Sequence, residues 1–128
     1  MGLFSKLFGG EEAATTSTTA FNRDAVREPV ERLIAALDAL TAEMKSDVLK
    51  LHNPGWQGRI KDLRGSSGSL SLLVRTPGFE KDDLFEVLST VRPLYRGVPT
   101  QHVEHLHHLN QEVVDAIEDV HAASRVAV

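Results

Sequence analysis

Between Val26 and Leu51, large apolar side chains recur every three or four residues: Val26, Val30, Leu33, Ile34, Leu37, Leu40, Met44, Val48 and Leu51. At about 100° per residue this spacing keeps them on one face of a helix. A helix with one apolar stripe cannot hide it alone, so the rest of the chain must supply elements that cover it. The stripe predicts a first helix starting between Asp24 and Glu28 and running to about Leu51, with Pro29 near the first turn, where its missing N–H costs least. His52-Asn53-Pro54-Gly55 then stops it.

The remaining segments are read as helices too. Gly58, Gly65 and Gly68 interrupt the pattern after Trp56, and Ser66, Ser67, Ser69 and Ser71 favour turns, which predicts short helices over 56–64 and 69–75. A strand over Leu70–Val74 is the alternative, but it has no second strand to pair with. Glu80, Asp82 and Asp83 suit the positive end of a helix carrying Leu84, Phe85, Val87, Leu88 and Val91, which Pro93 and Gly97 end. A last helix is expected from an N-cap at Thr100 to about Arg125, with the stripe Val103, Leu106, Leu109, Val113, Val114, Ile117 and Val120. The expected fold is all-α: a four- to five-helix bundle over 22–128, built on two long antiparallel helices of roughly 37 Å or more.

Trp56-Gln57-Gly58 resembles the Trp-x-Gly turn of a family of small secreted helical-hairpin proteins. That family continues directly into a second long helix, whereas Gly65 to Ser69 is expected to interrupt one here, so the three-residue resemblance is set aside. Trp56 is expected instead to plug one end of the bundle.

The 128 residues suit one domain, and 41% hydrophobic with 25% charged residues belongs to ordinary globular chains. Without cysteine there is no disulfide, thiolate nucleophile or cysteine-based zinc site. The net charge of −4 is unevenly spread: residues 53–100 carry 7 basic and 5 acidic side chains, residues 101–128 carry 1 and 5. No stretch gathers the Lys and Arg needed to neutralise several phosphates, so a nucleic-acid partner is not expected. No run approaches the ~18 apolar residues of a membrane span, and Ser5 and Lys6 break up the opening where a secretory signal would need an apolar core. The expected location is the cytoplasm, with membrane-peripheral association through the N-terminus.

Residues 1–8 carry that expectation. Leu3, Phe4, Leu7 and Phe8 share one face of a helical peptide, and 9–21, rich in Thr, Ala and Glu, reads as a flexible linker. Burying four such side chains gains roughly 6–12 kcal/mol, close to the ordering cost of about 1–2 kcal/mol per residue. A single copy therefore docks marginally, and copies joined in a homo-oligomer dock better. A protein groove or a membrane surface is the expected partner of residues 2–8.

The last helix holds the residues with the most chemistry. Glu104-x-x-His107 and Glu118-x-x-His121 resemble the Glu-x-x-His ligand pairs of di-iron four-helix proteins, which would make Glu104, His107, Glu118 and His121 a metal set. Both pairs lie on one helix, about 21 Å apart, so a site needs a second copy, with Glu31, Glu43 or Asp47 of the first helix completing the shell. The same flank can instead form an interface that changes as histidine titrates between about pH 5 and 7. Asn110 interrupts the apolar stripe, as a polar residue does when it sets register between paired helices. Self-association is therefore expected through Val103, Leu106, Asn110, Val113, Ile117 and Val120. Gly58 to Ser69, with Arg59, Lys61, Arg64 and Arg75 around it, reads as a plain flexible turn, with an anion held by its amides as the alternative. No serine sits in a Gly-x-Ser-x-Gly elbow, and the expected function is non-enzymatic and cofactor-free: a helical adaptor or assembly protein, with metal binding as the alternative.

Overall fold

The computed structural model describes residues 21–99 and 103–126, and every regular element among them is helical. The first, α1, spans Arg23–Ser46. Asn22 caps it, its side chain accepting the Ala25 N–H at 3.2 Å, which satisfies one of the free donors of the first turn. Pro29 lies inside the helix, in its second turn, further in than the sequence suggested. Val26, Val30, Leu33, Leu37, Leu40 and Met44 are completely enclosed.

The stripe was expected to continue to Leu51, but α1 ends at Ser46 and the chain turns over 47–53. Val48 and Leu49 consequently stand 66% and 87% exposed. The indole N–H of Trp56 donates to the Met44 carbonyl at 3.0 Å, which also accepts the Asp47 N–H at the end of the helix. Lys50 then lies over the Trp56 ring, 4.6 Å from its centre, so Trp56 closes this end as expected. Covering the end with Trp56 requires an early reversal, and Val48 loses its place in the core.

One continuous helix, α2 over Pro54–Arg75, replaces the two short helices expected there. The Asn53 side chain accepts the Gly55 and Trp56 N–H groups at 2.8 and 3.3 Å, and Pro54 occupies the first helical position. The glycines do not break α2, because its buried face runs Ile60, Leu63, Ser66, Ser67, Leu70 and Leu73 without interruption. Ser67 faces α1 and donates to the Asp38 carboxylate at 2.7 Å. Trp56 with Met44, Ser67 with Asp38, and Arg27 with the Val74 carbonyl at 2.8 Å mark α1 and α2 as antiparallel. Trp56-Gln57-Gly58 thus lies in the first turns of the helix that Pro54 opens.

Gly78 reverses the chain at φ 72°. Phe79 is buried edge-on against Phe21, ring centres 5.7 Å apart. The short α3, Lys81–Leu88, opens with the Asp83 carboxylate accepting the Glu80 N–H at 2.8 Å. A strap follows in which Val91 and Pro93 are buried and Arg92 points outward.

The last helix is shorter than expected: a 3₁₀ turn over Glu104–Leu106 leads into α4, His107–Ser124, and the proposed Thr100 cap lies outside the described residues. Its first half meets the strap, where Asn110 bonds Leu94, and near its end His121 lies against Phe85 of α3. Because Leu94 also bonds Arg59 at the start of α2, α4 runs parallel to α2 and antiparallel to α1. Helix α1 packs against both α2 and α4, and α3 packs against α2.

Candidate functional site

Leu3, Phe4, Leu7 and Phe8 lie outside the described residues. The side chains expected to join a second copy face inward. Leu106, Val113 and Val120 are wholly enclosed, Asn110 and Ile117 are buried, and Val103 packs half-buried on the core. In this fold the stripe of α4 covers α1 of its own chain, so the residues expected to join a second copy are buried in the core of one. Asn110 acts within the chain as well. Its carbonyl accepts the Leu94 N–H at 2.7 Å and its amide donates to the Tyr95 carbonyl at 3.1 Å, so it fastens the strap to α4.

The two Glu-x-x-His pairs have different surroundings. His107 shares a hydrogen bond with the Tyr95 hydroxyl, and the two rings stack with centres 6.0 Å apart. His121 faces the Phe85 ring at 6.0 Å instead. Among the described residues no three His, Asp or Glu side chains converge as ligands for a metal ion, so the four metal-set residues are not brought together. Burial pushes the Tyr95 phenol above its ordinary pKa, with the Asn110 side chain opposing part of that rise.

A trough of about 750 Å³ lies between α2 and the strap. Arg59, Asp62, Ser66 and Ser69 fall on one face of α2 by their spacing of three and four, and Thr90, Arg92 and Leu94 form the opposite wall. The strap positions Arg59, whose guanidinium donates to the Leu94 carbonyl at 3.2 Å. Leu94 is in turn held by Asn110. Lys61 and Arg64 extend the positive surface into an adjoining depression. None of Arg59, Lys61, Arg64 and Arg92 forms an ion pair among the described residues.

The trough contains most of the Gly58–Ser69 stretch, but not as the turn the sequence suggested. These residues are helical, so their amides are engaged in the helix and cannot cradle an anion. Side chains carry the positive charge instead. Arg92 and Thr90 were missed because they come from a separate segment, and the one signal that pointed to them was the basic bias of 53–100.

A second groove, of about 470 Å³, runs between α1 and α4. Its floor holds Ala35, Ala36, Ala39 and Ala116, and Glu112, Asp115 and Asp119 line its α4 side. Asp115 accepts a hydrogen bond from Gln111 at 3.0 Å, and none of the three carboxylates forms an ion pair among the described residues. Arg32, the cation on the α1 side, lies 3.9 Å from Glu28.

No family model, curated protein or solved structure matches the chain, so its own residues carry the functional reading. No helix among the described residues is long and apolar enough to cross a membrane.

Proposed function

We propose that this protein is a non-enzymatic helical adaptor or assembly protein, recruited to a membrane surface or a larger protein assembly by the apolar peptide at residues 2–8. One observation supports the reading: the described residues from 21 onward include a buried core drawn from every helix. Val26 through Val120 supply a continuous buried cluster drawn from all four helices and the strap. Every fully buried side-chain nitrogen or oxygen among the described residues already has a hydrogen-bond partner. Leu3, Phe4, Leu7 and Phe8 share one helical face by their spacing and are set apart from that cluster by a Thr-rich stretch, and an apolar face of this kind suits contact with another body. Polar groups such as Asn110 and Ser67 are committed to joining segments, which suits a scaffold.

The test replaces Phe4→Glu and Phe8→Glu in the full chain. The helical circular dichroism signal is expected to stay, while flotation with phosphatidylcholine–phosphatidylglycerol vesicles, or co-purification with a protein assembly, is lost. Flotation by the unsubstituted chain identifies a membrane, and co-purification without flotation identifies an assembly. Equal behaviour of the two chains in both assays removes the recruitment idea.

A further inference from the structure

The unpaired charges form two faces of opposite sign on different parts of the molecule. Arg59, Lys61 and Arg92 line the trough between α2 and the strap against one carboxylate, Asp62, while Glu112, Asp115 and Asp119 line the α4 side of the groove beside α1 against one cation, Arg32. Among the described residues no ion pair joins the two surfaces within the chain. Leaving like charges clustered in this way costs stability through self-repulsion, and the cost is relieved when a face of the opposite sign docks.

We propose that copies of this chain associate head to tail, the acidic side of α4 from one copy entering the basic trough of the next. The occupant is a second copy because the complementary charge is already present on the same molecule: three carboxylates spaced by three and four along α4, and a trough whose lining carries more cations than carboxylates. The two surfaces differ, so the contact is heterologous and each copy keeps one face of each sign open for the next. Such a chain of copies multiplies the N-terminal peptides and raises their avidity. This deepens the reading as an assembly protein and rests on it.

Sedimentation velocity of the full chain at about 0.01 M and about 1 M salt tests the contact, since screening shortens the range of charge from about 30 Å to about 3 Å. Larger species are expected at low salt and the monomer at high salt. Two exposed-surface variants, Lys61→Glu with Arg92→Glu and Glu112→Lys with Asp119→Lys, should each weaken association about tenfold or more, which equals about 1.4 kcal/mol. Circular dichroism checks that each remains folded. Mixing the two variants, or combining all four reversals in one chain, should restore association, which a folding defect cannot do. The Phe4→Glu, Phe8→Glu chain should associate like the unsubstituted one even if its vesicle binding is lost. A monomer at both salts, an oligomer indifferent to the reversals, or an oligomer lost only with Phe4 and Phe8 would overturn the proposal. In the last case the peptide joins the copies, and binding of short acidic peptides to the trough without self-association would point to another partner.

Discussion

Replacing Gly65 and Gly68 by alanine tests the continuity of α2, on which the trough depends. Both glycines lie well inside Pro54–Arg75, both are exposed, and a Cβ added at either meets nothing within 4 Å. Alanine therefore adds no clash. In a helix interior glycine is less favourable than alanine by about 0.8–1.0 kcal/mol, chiefly because the unfolded glycine backbone has more freedom to lose. The positions share no side-chain partner, so the effects should nearly add, to about 1.6–2 kcal/mol for the pair. For a folded region of this size that corresponds to a rise in Tm of roughly 6–10 °C. Urea and thermal unfolding followed at the helical circular dichroism band measure both quantities, and the native signal should not fall. If the chain turned at Gly65–Ser69 instead, alanine would be neutral or destabilising. A double variant no more stable than the parent would therefore refute the continuous helix.

Asn110→Ala should cost about 2 kcal/mol in urea unfolding, because the Leu94 N–H and the Tyr95 carbonyl both lose their partner in a partly buried setting. Asn110→Leu should also destabilise, whereas a polar residue that merely sets register between paired helices would give a more stable protein when replaced by leucine. The raised pKa of Tyr95 means that the fold favours its neutral phenol, so this contribution is present below about pH 10 and is lost as pH rises through the folded value. Urea midpoints measured between about pH 9 and 11 should fall more steeply for the parent than for Tyr95→Phe, and equal slopes would remove the phenol from the account.

Much of the secondary structure was legible because burial follows helical spacing. The stripe of α1 from Val26 to Met44, the acidic start of α3 and the inward residues of α4 from Leu106 to Val120 all occupy the faces their spacing implies. Serine misled in α2. Ser66 and Ser67 read as turn residues by local preference, yet they are buried in the helix, where Ser67 reaches Asp38 across 29 residues of sequence. Local preference is worth a few tenths of a kcal/mol to about one, and packing of the Ile60–Leu73 face outweighs it. Val48 misled in the opposite way, since its spacing continued the stripe while the turn under Trp56 left it exposed.

The candidate site was less legible than the helices. The basic bias of residues 53–100 and the acidic bias of 101–128 were visible as counts, but a count does not say which charges share a surface. Arg92 joins Lys61 and Arg59 because the strap returns along α2, and that path depends on Asn110 holding Leu94. Asn110 itself was noticed as a polar break in an apolar stripe, but its partners, Leu94 and Tyr95, could not be named from periodicity.

What the order of residues determined alone was periodicity: helices with one greasy side each, a cysteine-free interior, and an apolar opening segment separated from the rest by a Thr-rich stretch. Tertiary structure decided what each face meets. Side-chain direction along a helix repeats every 3.6 residues and is a local property, but the partner of a face depends on where the chain reverses. The end of α1 at Ser46, the unbroken run of α2 and the return of the strap therefore turned a supposed dimer stripe into core, and brought distant cations to one trough.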